Sequence, residues 1–306
     1  MEGLTPNQNY LDEKRFLQRV RWRSTLRTVL LSLAVFVIGF ISVNVLSDSF
    51  LNRQYDRINT FYDRLIRFSE PNTILLSGVS YRNTWFGQHK QYYYVRVVGD
   101  RPVPAGTVTV DFQVWGGEQF LKPLTPVFRS QDGREYLVPS MVPVLKFFHP
   151  AAPGERLQRD FGLLKRVPKD ATVEMALSFK RLLTKKEMEE ALPDGVQPLW
   201  GAISAYSDKE IRNQPDLGRR LVGIPLGGFQ EGEPEIAEAD FLRQITALSQ
   251  VPSHFSKSLA RTAGYLEKNG ILYYGVVVAG KPDVLLGLQD NPIVSGAVMG
   301  IVVQPY

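Results

Sequence analysis

TVLLSLAVFVIGFISVNVL, from Thr28 to Leu46, is the stretch that decides how the rest of the chain is arranged. The eighteen residues from Val29 to Leu46 contain no ionisable side chain. As a helix they would extend for roughly 27 Å, enough to cross a thin hydrocarbon core. A buried core helix would keep a polar stripe, and a cleaved signal peptide would end in small residues, whereas VLSDSF follows here. We therefore predict a retained transmembrane helix over residues 29–46.

Basic side chains are concentrated before this span. After it, only Arg53 and Arg57 lie within fifteen residues. The basic residues within the fifteen positions before it are Lys14, Arg15, Arg19, Arg21, Arg23 and Arg27. Such asymmetry places the more basic flank in the cytoplasm. The chain is therefore predicted to be a single-pass protein of the cell membrane, with residues 1–28 cytoplasmic and residues 47–306 extracytoplasmic.

The composition excludes several classes of function. The net charge is +5, and beyond the anchor the basic residues are mixed with acidic ones, so no nucleic-acid-binding face is expected. The chain has no cysteine, which excludes disulfides, thiol chemistry and cysteine-ligated zinc. The outer part must therefore be stabilised by packing alone.

Two helical segments flank the span. Residues 10–27 suit a helix that Asn9 caps, and its narrow apolar stripe favours a basic extension lying on anionic lipid over a helix that enters a protein groove. After the span, Leu51, Tyr55, Ile58, Tyr62 and Leu65 recur at spacings of four and three. We predict a juxtamembrane amphipathic helix over 47–69 that packs on its own domain, because two heptads are too few for a coiled coil.

The remainder divides into a β-rich region, a linker and a second domain. Residues 70–150 contain four stretches rich in β-branched and aromatic residues, which are NTILLSGVSY, QYYYVRVVGD, GTVTVDFQVW and EYLVPSMVPVLKFF. Turns are expected at Gly99-Asp100 and Asp132-Gly133. Prolines and irregular charge indicate a linker over 151–170.

Residues 171–306 repeat a strand, helix, strand pattern. TVEMALSFKRLL is followed by TKKEMEEAL, where Thr184 and Glu187 form a capping box, and then by the strand PLWGAISAYS. Helices near 240–249 and 253–269 precede the strand ILYYGVVVAG, the short helix KPDVLLGLQ and the strand GAVMGIVVQ. This order predicts an α+β domain, a ferredoxin-like βαββαβ sandwich with inserted helices.

No catalytic, cofactor-binding or metal-binding pattern occurs. The three histidines, His89, His149 and His254, are too far apart in sequence to form a local motif. GAISA around Ser204 lacks the second glycine of a nucleophile elbow, and the acidic stretch EGEPEIAEAD lacks EF-hand spacing. The GxxxG of Gly296 and Gly300 lies in a predicted strand, outside the membrane. We predict that the protein is not an enzyme and uses no cofactor.

Three stretches resemble one family. FLQRVRWRSTLRTVLLSLAV, from Phe16, resembles the N-terminal region of the membrane-bound sigma-factor regulators, which are single-pass anti-sigma proteins. ALSFKRLLTKKEMEEALPDGVQPLWGAISAYS and YYGVVVAGKPDVLLGLQDNPIVSGAVMGIVV resemble the C-terminal domain of that family. The resemblance implies an inner segment that sequesters an alternative sigma factor at the membrane and an outer domain that responds to an extracytoplasmic signal.

Binding of the sigma factor is expected through apolar side chains of the inner helix. These are Tyr10, Leu11, Phe16, Leu17 and Val20, because a basic tail without them would bind lipid unselectively. The inner segment is too short to fold alone, so it would order on its partner or act with a second single-pass membrane protein. The alternative is a non-catalytic extracytoplasmic scaffold of an envelope complex, in which residues 1–27 only anchor.

Overall fold

The computed structural model is a mixed α+β structure with one long N-terminal helix. It describes residues 6–84, 87–113, 119–120, 127–131, 133–138, 140–152, 157–214, 217, 221–227, 236–253 and 255–305. Side chains are described for most of these residues, but not for those before Arg15.

The first element, α1, is a single helix of 64 residues, Pro6–Ser69. It joins the predicted inner helix, the span and the juxtamembrane helix without a break. Its end at Ser69 agrees with the prediction, since Glu70 precedes Pro71 and its N–H still bonds the Ile66 carbonyl at 2.7 Å. Among the described residues one segment, Arg15–Phe50, is long and apolar enough to cross a membrane, and no residue of its most apolar window is buried.

A four-stranded antiparallel sheet follows α1. Its strands are β1 (Thr73–Thr84), β2 (Gly87–Val98), β3 (Arg101–Gln113) and β4 (Gln119–Phe120), in the order β1-β2-β3-β4. The predicted turn at Gly99-Asp100 joins β2 to β3, and Gly99 has φ +65°, which a glycine adopts without strain. Three of the four predicted β stretches therefore contribute strands to this sheet, and the first two of these strands form a hairpin.

The fourth predicted β stretch, residues 135–148, is not one long strand. Its described residues contain two short strands, β6 (Glu135–Leu137) and β7 (Val142–Pro143), which form a small sheet with β5 (Val127–Arg129). Met141 has φ +54°, in the left-handed region, and the Met141 N–H donates to the Leu137 carbonyl at 2.7 Å. The prediction of a continuous strand here was wrong because the chain turns back near Met141, so that β7 pairs antiparallel with β6.

The largest sheet has five strands, in the order β10-β9-β11-β8-β12, and all neighbours are antiparallel. The strands are β8 (Thr172–Leu183), β9 (Gln197–Ile203), β10 (Gly223–Pro225), β11 (Tyr273–Gly280) and β12 (Val294–Val303). Four of them lie where the sequence predicted strands, whereas β10 lies in a stretch that was given no structure. The central strand β11 is buried along its whole length.

In the described part of the chain, six short α-helices accompany this sheet. They are α2 (Phe161–Leu164), α3 (Lys185–Glu190), α4 (Asp208–Asn213), α5 (Glu238–Ser249), α6 (Ser256–Asn269) and α7 (Pro282–Leu286). The predicted capping box at the start of α3 is confirmed, because Thr184 and Glu187 bond each other's backbone N–H groups. A second capping box, Ser207 with Glu210, opens α4, which the sequence interpretation missed.

The end of α1 is part of the main hydrophobic core. Phe61, Tyr62, Ile66 and Phe68 are buried in one cluster with side chains of α5, α6, β8 and β11. Phe68 packs edge-on against Phe241 of α5, with ring centroids 4.7 Å apart. The last turns of the long helix are therefore fixed to the C-terminal sheet and its helices, as expected of a helix that packs on its own domain.

The opposite face of the large sheet is covered by the β-rich region. Val98 of β2 and the segment that follows β7, including Leu145 and Phe147, pack against Trp200 and Tyr274. The described part of the expected linker is also packed: Phe161 and Leu164 are buried, and Arg159 forms a β-bridge with Ala297 of β12. The β-rich region and the C-terminal domain therefore pack against each other and contribute to the same hydrophobic cluster.

Candidate functional site

The apolar residues predicted to bind a partner lie on α1 before the span. Phe16, Leu17 and Val20 are exposed by 65%, 50% and 48%. Positions i, i+1 and i+4 of a helix lie within an arc of about 100°, so these three side chains form one exposed face. Tyr10 and Leu11 belong to the same helix, but their side chains lie outside the described residues.

Basic side chains occupy much of the remaining surface of this helical stretch. All of the predicted topology-setting residues from Arg15 onward are exposed, namely Arg15, Arg19, Arg21, Arg23 and Arg27, while the side chain of Lys14 lies outside the described residues. Trp22 is exposed by 71% and was not singled out from the sequence. Its position a few residues before the span could have indicated a membrane-interface residue, because tryptophan is enriched at membrane interfaces.

One polar side chain of the predicted span, that of Asn44, is hydrogen-bonded within the helix. The end residues of the span, Val29 and Leu46, are exposed by 56% and 70%, as a lipid-facing helix in isolation would be. The amide of Asn44 donates to the Phe40 carbonyl at 2.7 Å, one turn earlier. Because a hydrocarbon core offers no other hydrogen-bond partner, this bond lowers the cost of placing Asn44 there.

A buried polar network lies where α1 meets the sheets. Glu174 of β8 is completely buried, and its carboxylate accepts bonds from the Asn72 side-chain amide at 2.7 Å and from the Ile301 N–H at 3.2 Å. The guanidinium of Arg96, on β2, lies 3.5 Å from the same carboxylate and donates to the Pro143 carbonyl at 2.9 Å. Glu174 thereby connects Asn72, three residues beyond the end of α1, with both sheets.

The network is closely packed and incompletely satisfied. Asn72 has φ +50°, and its side-chain amide also donates to the Val97 carbonyl. A Cβ atom at Gly300 would overlap the Glu174 carboxylate, which explains a glycine at this position. The Asn72 Oδ1 and Arg96 Nε atoms are buried without a hydrogen-bond partner. Glu174 thus joins three segments that are distant in sequence. Because its carboxylate is buried, leaving that charge unpaired would be costly.

His149 and Ser204, which the sequence interpretation treated separately, are in contact. The His149 Nε2 and Ser204 Oγ atoms are 3.1 Å apart, and both residues are buried. His149 Nδ1 accepts a bond from the Ala151 N–H, so the ring proton is on Nε2 and is donated to Ser204. Ser204 in turn donates to the Tyr206 carbonyl. In this arrangement the histidine cannot accept the serine proton, so the pair does not form a nucleophile with its base.

Burial controls the charge of this histidine. Loss of water around the ring lowers the pKa of His149 to about 4, and the Asp208 carboxylate opposes the shift only in part. The imidazole is therefore neutral at neutral pH, and its ring packs 4.8 Å from that of Tyr274. The contact is a structural one.

The described residues contain no group of histidine, aspartate or glutamate side chains that could hold a metal ion. His89 lies half-buried in β2, whereas His254 lies outside the described residues, as do positions 231–235 of the acidic stretch.

The buried polar network around Glu174 was not predicted from the sequence, although the sequence contains an indication of it. Glu174 is a charged residue within the otherwise apolar start of TVEMALSFKRLL, at a position that a strand of this sheet buries. A carboxylate at such a position needs a partner of opposite charge or several donors. Arg96 is likewise a charged residue between apolar neighbours of a predicted strand, QYYYVRVVGD. The sequence does not show that two such distant residues form a pair.

Comparison with protein-family models gives two matches. The model described as sigma factor regulator N-terminal matches residues 14–103, which include the span, the outer part of α1 and the hairpin β1-β2. The model described as sigma factor regulator C-terminal matches residues 164–301, from the end of α2 into β12. Together the two matches cover most of the chain. No match was found among curated proteins or among solved structures.

Proposed function

The chain belongs to the sigma factor regulator family, and from this we propose that it is a single-pass membrane anti-sigma factor that sequesters an alternative sigma factor. Proteins of this family are regulatory rather than catalytic. The family implies the sigma factor as a partner, and the apolar helix Arg15–Phe50 supplies a means of holding it at a membrane. In this proposal residues 1–28 are cytoplasmic and residues 47–306 receive an extracytoplasmic signal.

The observation that carries the proposal is the continuity of α1. One helix runs from the exposed apolar face at Phe16, through the span, to side chains such as Phe68 that are buried in the outer core. A regulator needs a connection of this kind, because a change in the outer part must reach the inner segment. A scaffold anchored by a tail has no such requirement.

We assign the sigma-factor contact to Tyr10, Leu11, Phe16, Leu17 and Val20. The exposure of Phe16, Leu17 and Val20 on one face supports the assignment, since burial of exposed apolar and aromatic side chains is the usual source of affinity for a helix in a groove. The surrounding arginines would hold the helix near anionic lipid. A second single-pass membrane protein would complete the binding surface if the short segment alone is insufficient.

For the outer part we propose four regions: a juxtamembrane helix (47–69), a β-rich region (70–150), a linker (151–170) and a C-terminal domain (171–306). We propose a ferredoxin-like arrangement for the C-terminal domain. The order β9-β11-β8-β12, in which the first and third strands of the repeated pattern are antiparallel neighbours, supports this fold. The edge strand β10 and the helices α4, α5 and α6 are insertions between its halves.

Photo-crosslinking in intact cells tests the sigma-factor contact. Probes are placed at Phe16, Leu17 and Val20, with a control probe at Trp22, which lies about 200° from Val20 around the helix axis. We expect the first three probes to capture the sigma factor and the control probe to capture mainly lipid. Replacing Phe16, Leu17 and Val20 by Ala should abolish capture and raise transcription of the target genes at equal protein level.

The outcomes separate the alternatives. Capture of another single-pass membrane protein would indicate a two-subunit regulator. If all probes label only lipid, and residues 1–27 can be exchanged for an unrelated basic tail without effect on transcription, the anti-sigma proposal is wrong and the scaffold replaces it. A matched variant, Trp22→Ala, should leave transcription unchanged, which distinguishes the proposed face from the helix as a whole.

A further inference from the structure

The arginines before the span lack carboxylate partners. Between Lys14 and Asp48 the chain contains no acidic residue. The arginines of this stretch have no ion-pair partner among the described residues, and they are Arg15, Arg19, Arg21, Arg23 and Arg27. In the outer part, by contrast, arginines such as Arg67 and Arg181 lie within 3.1 Å and 2.8 Å of a carboxylate. The inner helix therefore presents positive charges that the protein does not itself balance.

Arginine side chains flank the exposed apolar face of Phe16, Leu17 and Val20 on both sides. Successive residues of an α-helix are about 100° apart around its axis. Arg19 therefore lies about 60° from Phe16 on one side of the face, and Arg21 lies about 40° beyond Leu17 on the other. All of these side chains are exposed. A surface that covers the apolar face would meet a guanidinium group at each edge.

The apolar face lies outside the bilayer in the proposed topology. At about 1.5 Å per residue, Val20 and Phe16 are about 14 Å and 20 Å from Val29, the first residue of the proposed span. The polar layer on each side of a membrane is only about 5–8 Å deep. Between Pro6 and Gly39 the helix α1 contains no other proline or glycine, so it has no obvious bending point that would lay the face on the membrane. The occupant of this face is therefore expected to come from the cytoplasm.

The arginines differ in their distance from the lipid. Arg27 and Arg23 lie about 3 Å and 9 Å from Val29 along the helix axis, at the level of the lipid headgroups. Arg21 and Arg19 begin about 12 Å and 15 Å from Val29, outside the polar layer. Anionic lipid therefore accounts for the first two arginines, and it leaves the two that flank the apolar face to another anionic partner.

Carboxylates fit this arrangement better than other anions. A guanidinium group presents N–H donors in a planar fork that matches a carboxylate or a phosphate. Phosphates of a nucleic acid would bring a highly polar surface, which offers little to the apolar side chains between the two arginines. A protein groove can combine an apolar floor with acidic edges, and charged pairs at the edge of an interface steer association and fix orientation.

We propose that the apolar face of the inner helix binds an apolar groove that has acidic side chains on both rims, and that carboxylates of these rims pair with Arg19 and Arg21. The inference rests on the proposed function, because it places this groove on the sigma factor. It adds the kind of surface that the sigma factor must present. The two arginines set the rate of capture, whereas the apolar side chains hold the complex together.

Binding rates separate these two roles. The full chain is immobilised in phosphatidylcholine nanodiscs, which carry no net charge, and the soluble partner is the sigma factor that the Phe16 probe captures in cells. Association and dissociation are measured at about 50 and about 300 mM NaCl, between which screening increases. The test variant combines Arg19→Gln with Arg21→Gln. The control combines Arg27→Gln with Arg53→Gln, which removes the same charge from the two ends of the span.

The test variant should bind more slowly without falling off faster. We expect its association at low salt to be about tenfold slower than that of the unchanged chain, with dissociation altered by less than about twofold. Its association should also depend less on salt, because the charges that salt would screen have been removed. The control should associate at the rate of the unchanged chain. Phe16→Ala should act mainly on dissociation, as the loss of a buried anchor does.

An exchange of charges identifies the rims. Photo-crosslinking probes at positions 19 and 21 locate the nearest acidic residue of the captured sigma factor. Replacing that residue by Arg should slow association with the unchanged chain. Combining this replacement with Arg19→Glu should restore fast association, because the pair is formed again with its charges reversed.

The outcomes distinguish this inference from the proposed function. Unchanged association of the test variant, or an equal loss in the control, would overturn the acidic rims and leave the sigma-factor contact intact. If the test variant is slower only in nanodiscs that contain phosphatidylglycerol, the two arginines act on lipid and the inference is wrong. If no probe on the apolar face captures a sigma factor, the proposed function fails and the groove fails with it. Slower association together with rescue by the exchanged charges supports both.

Discussion

Replacing Arg96 by Met should reduce the free energy of unfolding of the outer part by about 3–5 kcal/mol, the usual cost of leaving a buried charge unpaired. The substitution removes the guanidinium 3.5 Å from the Glu174 carboxylate and the bond to the Pro143 carbonyl, but it retains most of the apolar stem. Glu174, which is completely buried, would keep only the neutral donors of Asn72 and Ile301.

A double variant separates the charge effect from lost packing. If the cost comes from an uncompensated charge, Arg96→Met combined with Glu174→Gln should be less destabilising than the sum of the two single changes, by about 2 kcal/mol or more. If it comes from lost contacts alone, the two changes should add. The coupling energy is therefore the quantity that decides whether Glu174 and Arg96 act as a pair.

Urea unfolding of the full chain in nanodiscs, followed by pulse proteolysis, measures the effect. With a slope of about 3 kcal/mol per molar urea, the single change should lower the midpoint by about 1 M or more. Arg129→Met is the matched control, since that arginine is 73% exposed in its pair with Glu135 and should contribute about 1 kcal/mol or less. A midpoint for Arg96→Met equal to that of the control would refute the reasoning.

Three further predictions concern single positions. The pKa of His149 is about 4 in the fold and near 6.5 when unfolded, so the unfolded chain takes up the proton first as the pH falls. The free energy of unfolding should therefore fall by up to about 3 kcal/mol between pH 6.5 and pH 4. The His149→Gln variant should show a correspondingly flatter pH profile of urea midpoints. Gly300→Ala should destabilise by about 1–3 kcal/mol, measured as thermal unfolding, because the new Cβ would displace the Glu174 carboxylate. Thr184→Ala should lower the free energy of unfolding by about 1 kcal/mol, because it removes the N-cap of α3. The control for its urea midpoint is Thr246→Ala, in the interior of α5.

The local parts of the fold were readable from the sequence because each has a local cause. The end of the long helix follows from Pro71, the start of α3 from Thr184 and Glu187, and the end of α6 from Gly270, which has φ +75°. Strand positions in the C-terminal domain follow from runs of β-branched residues such as YYGVVVAG. The family was predicted from its motifs and is confirmed by the two family matches.

The parts that were missed depend on contacts between distant residues. Strand β10 has only three residues, and its pairing with β9 is visible only once the sheet is assembled, where Trp200 lies against Gly223. The sequence analysis placed the GxxxG of Gly296 and Gly300 in a strand and gave Gly296 no packing role, yet a Cβ atom there would lie 2.9 Å from the ring of Phe148. The sequence shows that a residue is small or charged, but it does not show which surface approaches it.

The continuity of α1 limits how a signal could cross the membrane under the proposed function. Between Pro6 and Ser69 the helix contains no further proline and one glycine, Gly39, which lies near the middle of the span. Sharp bends in helices occur mainly at proline and glycine, so the helix has no obvious bending point outside the bilayer. At its outer end Asn72 is bonded to Glu174, so rotation of that end requires the buried network to change as well. A signal received by the outer part would therefore reach the inner apolar face as a movement of the whole helix, and the energy needed to break the Asn72–Glu174 contact would set its threshold.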